Sequence, residues 1–220
     1  MILPNSSATI PPSSLSPLIH LVDDDAGVRE ALALLIGTVG LRVETWGDPE
    51  RFLAEFLNAG RQNIGAIILD LRMPNVSGLS VLDALRAAGV DQPVIMLTGH
   101  GTVELCRRAF KAGAAEFLEK PVNDELLLDT LQQAVRRHVR SRQRNAADLV
   151  ARQRYAALTE REREVLGLII EGLTNKEIGR SLEVSPRTVE THRAKLFEKL
   201  AAPSLAQLIR QYAALVEGQS

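Results

Sequence analysis

The chain is nearly devoid of cysteine: among its 220 residues Cys106 stands alone. A single thiol closes no internal disulfide, so a secreted scaffold stapled by such bridges is excluded. Long uncharged runs are lacking too. Past Val22 no stretch of roughly 18 residues is free of charge, so no membrane-spanning helix is expected. Residues 1–22 do contain no Lys, Arg, Asp or Glu. They also lack the basic start of a signal peptide, and Pro4, Pro11, Pro12 and Pro17, with the serines between them, break up any apolar core. Residues 1–17 therefore read as a disordered leader, and the protein is expected in the cytoplasm, away from membranes. Net charge is also missing, because 26 basic and 27 acidic side chains leave −1. Taken alone, that total argues against a strongly basic nucleic-acid binder and against an acidic disordered tail. What remains is ordinary globular material, 45% hydrophobic and 24% charged. It is long enough for a sizeable core, and for one large or two small domains at ~150 residues each.

Divided at Pro121, the charge says more. Residues 1–121 carry 10 basic and 14 acidic side chains, a net of −4, and residues 122–220 carry 16 and 13, a net of +3. Residues 136–154 alone hold seven arginines against one acid, Asp148. The two parts present different surfaces.

The first part alternates short apolar runs with helical periods. Residues 18–22, 43–46, 64–69, 94–97 and 116–118 read as strands. The runs IGAIIL and PVIML are almost wholly apolar, as strands covered on both faces are. Helices are predicted over residues 28–39, 49–59, 79–88 and 103–112, the second opened by the Asp48 cap and Pro49. Five strands alternating with helices predict an α/β fold with a doubly wound parallel sheet.

The second part reads as helix throughout. Thr159 with Glu162 and Thr174 with Glu177 have capping-box spacing, Ser185-Pro186 marks a third start, and a fourth helix is expected over residues 204–216. Between the parts, residues 122–166 contain neither Gly nor Pro. Asn123, Asp124 and Glu125 suit a helix start, and Leu128, Leu131, Val135 and His138 or Val139 recur at helical spacing. One helix of about 30 residues, roughly 45 Å long, is predicted from about residue 124 to 154.

Doubly wound sheets place their sites at the carboxyl ends of strands. Asp23 and Asp24 (with Asp25) end the first predicted strand, Asp70 the third and Thr98 the fourth, and Lys120 follows the fifth. Each residue alone has an ordinary explanation as a helix cap, a turn or a strand former. Together they suggest chemistry. Clustered carboxylates repel unless a cation joins them, and Mg²⁺ suits hard oxygen ligands. A carboxylate beside Mg²⁺ can attack a phosphoryl group and form an aspartyl-phosphate. Lys120 is then the available point charge and Thr98 a hydrogen-bond donor for the transferred group.

LVDDD, LDLRMPNVSG, MLTGHG and FLEKP resemble the receiver domain of two-component response regulators, particularly the FixJ subgroup, from Pro17 to Ala134. The resemblance implies a flavodoxin-like fold with Asp70 as phosphoacceptor. It implies that Asp23, Asp24, Asp70 and the backbone carbonyl of Arg72 bind Mg²⁺. Thr98 and Lys120 match the switch threonine and the phosphate-binding lysine. Lys120-Pro121 matches a bond that is commonly cis. Phe117 takes the aromatic switch position, often Tyr, and lacks the hydroxyl. Cys106 reads as a small, partly buried residue of the fourth helix rather than a redox sensor, and His100 as a loop residue.

In the second part, Val165, Leu168 and Ile169 share one helix face, Ile178 and Leu182 the next, and Val189, His192, Leu196 and Leu200 a third. Gly179 allows close helix approach. This leaves Arg187, Thr188, Glu190, Thr191, Ala194 and Lys195 outward, as the recognition helix of a helix-turn-helix requires. Arg187, Arg193 and Lys195, with Asn175 and Lys176 at a helix N-terminus, suit phosphates, and Glu190 and Thr191 suit base edges. His192 reads as packed or phosphate-directed. An ordinary solvated helix face is the competing explanation for the basic residues.

LTEREREVL, GLTNKEIG and SPRTVETHRAKLFEKL resemble the NarL/LuxR-type DNA-binding domain, from Leu158 to Leu215. This implies a small all-α four-helix domain. The expected division is a receiver over 18–134, a helical linker over 135–157 and a DNA-binding domain over 158–220. The implied partners are double-stranded promoter DNA, a sensor histidine kinase, RNA polymerase and, on phosphorylation, a second copy. No enzyme is expected beyond a receiver that assists its own phosphorylation and dephosphorylation. An aspartyl-phosphate phosphatase would carry a second acid two residues after its nucleophile, where Asp70-Leu71-Arg72 has arginine. A regulator that never uses phosphorylation is the other alternative, and the full set Asp23, Asp24, Asp70, Thr98 and Lys120 argues against it.

Overall fold

The computed structural model describes residues 17–59 and 64–217. The leader expected over residues 1–17 thus lies outside the described residues except for Pro17. The chain divides into two compact units, Met1–Ser141 and Arg142–Ser220.

In the first unit five strands alternate with helices: β1 (Leu18–Val22), α1 (Ala26–Gly37), β2 (Arg42–Trp46), α2 (Pro49–Asn58), β3 (Gly65–Asp70), α3 (Gly78–Ala87), β4 (Val94–Thr98), α4 (Val103–Lys111), β5 (Glu116–Glu119) and the start of α5 (Asp124–Ala156). The strands form one parallel sheet in the order β2-β1-β3-β4-β5. Successive residues of β3 point to opposite faces, and both faces are covered. Ala66 and Ile68 join Ile36 of α1 and Leu127, Leu131, Ala134 and Val135 of α5 in one core. Ile67 and Leu69 join Phe52 and Phe56 of α2, Leu82 and Leu85 of α3 and Ala109 of α4 in the other. This burial on two faces is why the strands read as unbroken apolar runs.

Several expectations shift. α1 begins at Ala26, two residues before the predicted start, because the Asp25 side chain accepts from the Val28 N–H and caps the helix. The buried stripe of α5 runs through Leu127, Leu131, Ala134, Val135 and His138, whereas Leu128 is only half-buried. α5 itself is 33 residues long. No helix among the described residues is long and apolar enough to cross a membrane.

The second unit holds the rest of α5 with α6 (Glu160–Ile170), α7 (Asn175–Ser181), α8 (Pro186–Leu200) and α9 (Leu205–Glu217). Both capping boxes form, and Ser185 caps α8 with Pro186 at its first turn. Val165, Leu166, Ile169, Ile178, Val189, Leu196, Leu208 and Tyr212 make its core, which Ala151 and Tyr155 of α5 enter. The buried Glu162 accepts from Lys199 at 2.7 Å, tying the start of α6 to the end of α8, and the lysine holds this carboxylate below its usual range.

His20, at the middle of β1, is 5% exposed. It packs against Phe52 and Phe56 and accepts from the Trp46 indole N–H at 3.3 Å. Burial lowers its pKa from 6.5 to about 4, and Glu44, 3.6 Å away and half-exposed, does not offset this. The folded chain therefore refuses a proton that the unfolded chain takes up as pH falls below 6.5. The first unit should lose roughly 2–3 kcal/mol between pH 7 and pH 4.5 through this residue. His20→Phe should remove that part of the decline. Urea unfolding followed by the single tryptophan, Trp46, checks it, and an unchanged pH difference in the variant refutes it.

Candidate functional site

The parallel order of β1, β3 and β4 gathers their carboxyl ends at one edge of the first unit. Asp23 and Asp70 are buried there, at 1% and 5% exposure, while Asp24 is exposed. One carboxylate oxygen from each of the three lies within 4.8 Å of the others. Lys120, arriving after β5, places its ammonium 2.5 Å from Asp23 Oδ2 and 2.8 Å from Asp70 Oδ1. The other Asp70 oxygen accepts from the Arg72 N–H at 3.1 Å, and Asp23 Oδ1 accepts from the Asp25 N–H at 3.0 Å. Arg29 of α1 donates to the Asp23 carbonyl at 2.7 Å.

The electrostatics follow from burial. Loss of water pushes the Asp70 carboxyl above its ordinary value, and the Lys120 ammonium opposes that rise without cancelling it. Burial alone would lower the Lys120 pKa, but its bonds to Asp23 and Asp70 raise it, so the lysine stays charged. The donor set is three carboxylates with oxygen lone pairs to spare, which fits a hard divalent cation.

The structure thus brings Asp23, Asp24, Asp70 and Lys120 together, with Arg72 touching the cluster through its N–H. Thr98 is fully buried at the end of β4, where its hydroxyl is occupied by the backbone of His100 at 3.2 Å in both directions. Phe117 is half-buried and packs against the core shared by α2, α3 and α4. A side chain at Gly101 would lie 3.2 Å from its ring, so the loop carrying His100 and Gly101 lies directly against Phe117. The Lys120–Pro121 bond is cis. Cys106 is half-buried on α4 and His100 is exposed. Sequence reasoning missed Arg29, since a lone arginine on an amphipathic helix gives no signal of what it touches.

In the second unit α7 and α8 meet through a tight turn. Val184 N–H bonds the Gly179 carbonyl at 2.9 Å, and Glu183 has a φ of 55°. A Cβ at Gly179 would lie 2.8 Å from the Val184 carbonyl, so the glycine is required by close backbone approach. Along α8, Arg187, Thr188, Glu190, Thr191 and Lys195 are exposed and Arg193 and His192 half-buried; on α7, Lys176 is exposed and Asn175 half-buried. The Thr188 and Thr191 hydroxyls are already bonded, to Ser185 Oγ at 2.8 Å and to the Arg187 carbonyl at 3.1 Å. Among the described residues, those on this face without a hydrogen bond or ion pair from the side chain are chiefly Arg187, Glu190 and Lys195.

Two family models match, the response regulator receiver domain over residues 19–132 and the luxR family of bacterial regulatory proteins over residues 156–212. The chain belongs to the response regulators that join a receiver to a LuxR-type helix-turn-helix domain. It is 43% identical over 194 residues to the transcriptional regulatory protein FixJ of Azorhizobium caulinodans, covering 87% of this chain and 90% of that one. It is 40% identical to the tetrathionate response regulatory protein TtrR of Salmonella typhimurium, covering 88% and 91%. Among solved structures it is similar to response regulator StyR, with a TM-score of 0.77 at 36% identity, covering 90% of this chain and 99% of that one. It also resembles full-length FixJ from B. japonicum, with a TM-score of 0.57 at 35% identity, covering 93% and 98%.

Removing the lysine leaves two buried carboxylates facing each other. Lys120→Met should destabilise the first unit at pH 7 by about 3 kcal/mol, as breaking a buried pair does. Adding Asp70→Asn should recover a large part of that loss. Urea midpoints from Trp46 fluorescence measure both, and a double variant no more stable than Lys120→Met would contradict the assignment.

Proposed function

We propose that this response regulator is a DNA-binding transcription factor switched by phosphorylation of Asp70. The observation that carries the reading is the Lys120 ammonium set between the buried carboxylates of Asp23 and Asp70. Bound Mg²⁺, held by Asp23, Asp24, Asp70 and the Arg72 carbonyl, would supply positive charge to the transferred group. An Asp70 oxygen attacks the phosphorus of a phosphohistidine on a sensor kinase; the new O–P bond forms as the N–P bond breaks, and the imidazole leaves. Lys120 neutralises charge on the phosphoryl group. Thr98 can turn its hydroxyl from His100 to a phosphoryl oxygen, which frees the loop that lies against Phe117. The receiver acts only on itself, assisting gain and loss of its own phosphoryl group.

The readout is association and DNA binding. α4 exposes Val103 at 86% and Phe110 at 50%, an apolar surface that with β5 suits a second copy in the phosphorylated state. A dimer sets two α8 helices on successive half-sites of promoter DNA. Arg187, Arg193, Lys195, Asn175 and Lys176 meet phosphates, Glu190 and Thr191 face bases, and Thr188 shares their outward face. The chain then divides into a receiver (18–134), a linker (135–157) and a DNA-binding domain (158–220), working in the cytoplasm with RNA polymerase.

Asp70→Asn should abolish labelling by acetyl phosphate in the presence of Mg²⁺; persistent labelling would move the acceptor elsewhere. Lys195→Ala should lower the salt dependence of DNA binding by about one unit of log–log slope. An unchanged slope removes Lys195 from the phosphate contacts.

A further inference from the structure

Asp23 is held at every polar atom, and one of the side chains that hold it, Arg29, lies outside the carboxylate cluster and its lysine. Its N–H donates to the Trp46 carbonyl at 3.1 Å. Its two carboxylate oxygens accept from the Asp25 N–H and from Lys120. Its carbonyl accepts from Arg29 Nη1 at 2.7 Å. Asp24, by contrast, is exposed and takes no side-chain hydrogen bond among the described residues.

The Asp23 carbonyl belongs to the peptide that joins the two acids. A peptide unit is planar, so fixing its oxygen fixes the plane, and with it ψ of Asp23 and φ of Asp24. Among the described residues no side-chain bond orients the Asp24 carboxylate, so its placement follows the backbone on either side, held before it by the Arg29 bond and after it by the Asp25 N–H on Asp23 Oδ1. Arg29 is itself seated. A Cβ at Gly47, in the turn after β2, would lie 3.1–3.2 Å from Nη1, Cζ and Nη2 of the guanidinium. Gly47 does not have a positive φ, so its value here is its small size. The guanidinium therefore lies flat against a bare stretch of backbone and spans the β1–α1 and β2–α2 turns.

We infer that Arg29, seated on Gly47, is a positioning residue that fixes the Asp23–Asp24 peptide and so aims Asp24 into the divalent-cation site. The inference rests on the reading of that cluster as a Mg²⁺ site. Loss of such an outer partner costs roughly 10- to 100-fold in metal affinity. Calorimetric titration of the full chain with MgCl₂ alone gives the test. Arg29→Ala should weaken Mg²⁺ uptake roughly 10-fold. Gly47→Ala should weaken it in the same direction but less, because its methyl group would meet the guanidinium at 3.1–3.2 Å and push it off its seat by a few tenths of an ångström. The double variant should be no weaker than Arg29→Ala, since both changes break one interaction. Arg29→Lys, which keeps a donor, should recover most of the affinity. A structural role alone would move the urea midpoint and leave Mg²⁺ affinity where it was; that result overturns the inference, as do losses that multiply in the double variant. Gly47→Ala, at an exposed turn, carries the same test if Arg29→Ala does not fold. Wild-type protein that takes up no Mg²⁺ overturns the cation-site reading and this inference with it, and is told apart by needing no variant.

Discussion

One ammonium group reconciles the rest of the receiver with its own charge. Asp23 and Asp70 sit on adjacent strands at the same edge of the sheet, both buried, and two carboxylates so placed repel strongly. Lys120 resolves this, but it starts from the far side of β4. Neighbouring strands are about 4.8 Å apart, so the side chain must span the end of one strand to reach the next two. A flexible four-carbon stem ending in a compact charge can do that, and a shorter cation could not. The order β2-β1-β3-β4-β5, the turn after β5 and the burial of Thr98 beneath the span are all conditions for that one contact. The charge is balanced at the cost of a carboxyl kept above its usual range.

Much of this was legible in the residues. Strand ends are predictable because apolar runs stop where polar chemistry begins, so the residues alone place Asp23, Asp70 and Lys120 on one edge. The parallel sheet was legible for the same reason, since strands covered on both faces leave no polar alternation. The misses have physical causes. α1 started early because an aspartate in a run of three can cap as well as ligate, and composition does not say which does which. Leu127 outranked Leu128 because the phase of a helix against a sheet depends on tertiary packing. Arg29 was invisible because its partner is a backbone carbonyl, which every residue has.

The helical unit obeys a different constraint, close backbone approach rather than charge. Gly179 lets α7 and the turn before α8 come within reach of a hydrogen bond, and Glu183 accepts a left-handed conformation to complete the turn. The end of α8 is fixed as firmly as its start. The Leu200 carbonyl accepts from the Tyr212 hydroxyl at 2.9 Å and from Arg154 at 3.3 Å, while Lys199 reaches Glu162. A helix anchored at both ends presents its outward side chains in one orientation, which matters because reading a base edge depends on direction. The capping boxes made this unit easy to divide from sequence. The tie between Glu162 and Lys199 was not legible, because residues 37 apart acquire a relation only through the fold.

β2 ends the sheet, with β1 as its one neighbour among the described residues. Any strand in that place carries a row of unspent N–H and C=O groups that could recruit a foreign chain. Here Arg42, Glu44 and Thr45 are exposed along it. A stray strand pairing there would have to strip water from an arginine and a glutamate. The edge is in effect insulated, so crowding in a cell would not glue idle molecules together through their sheets.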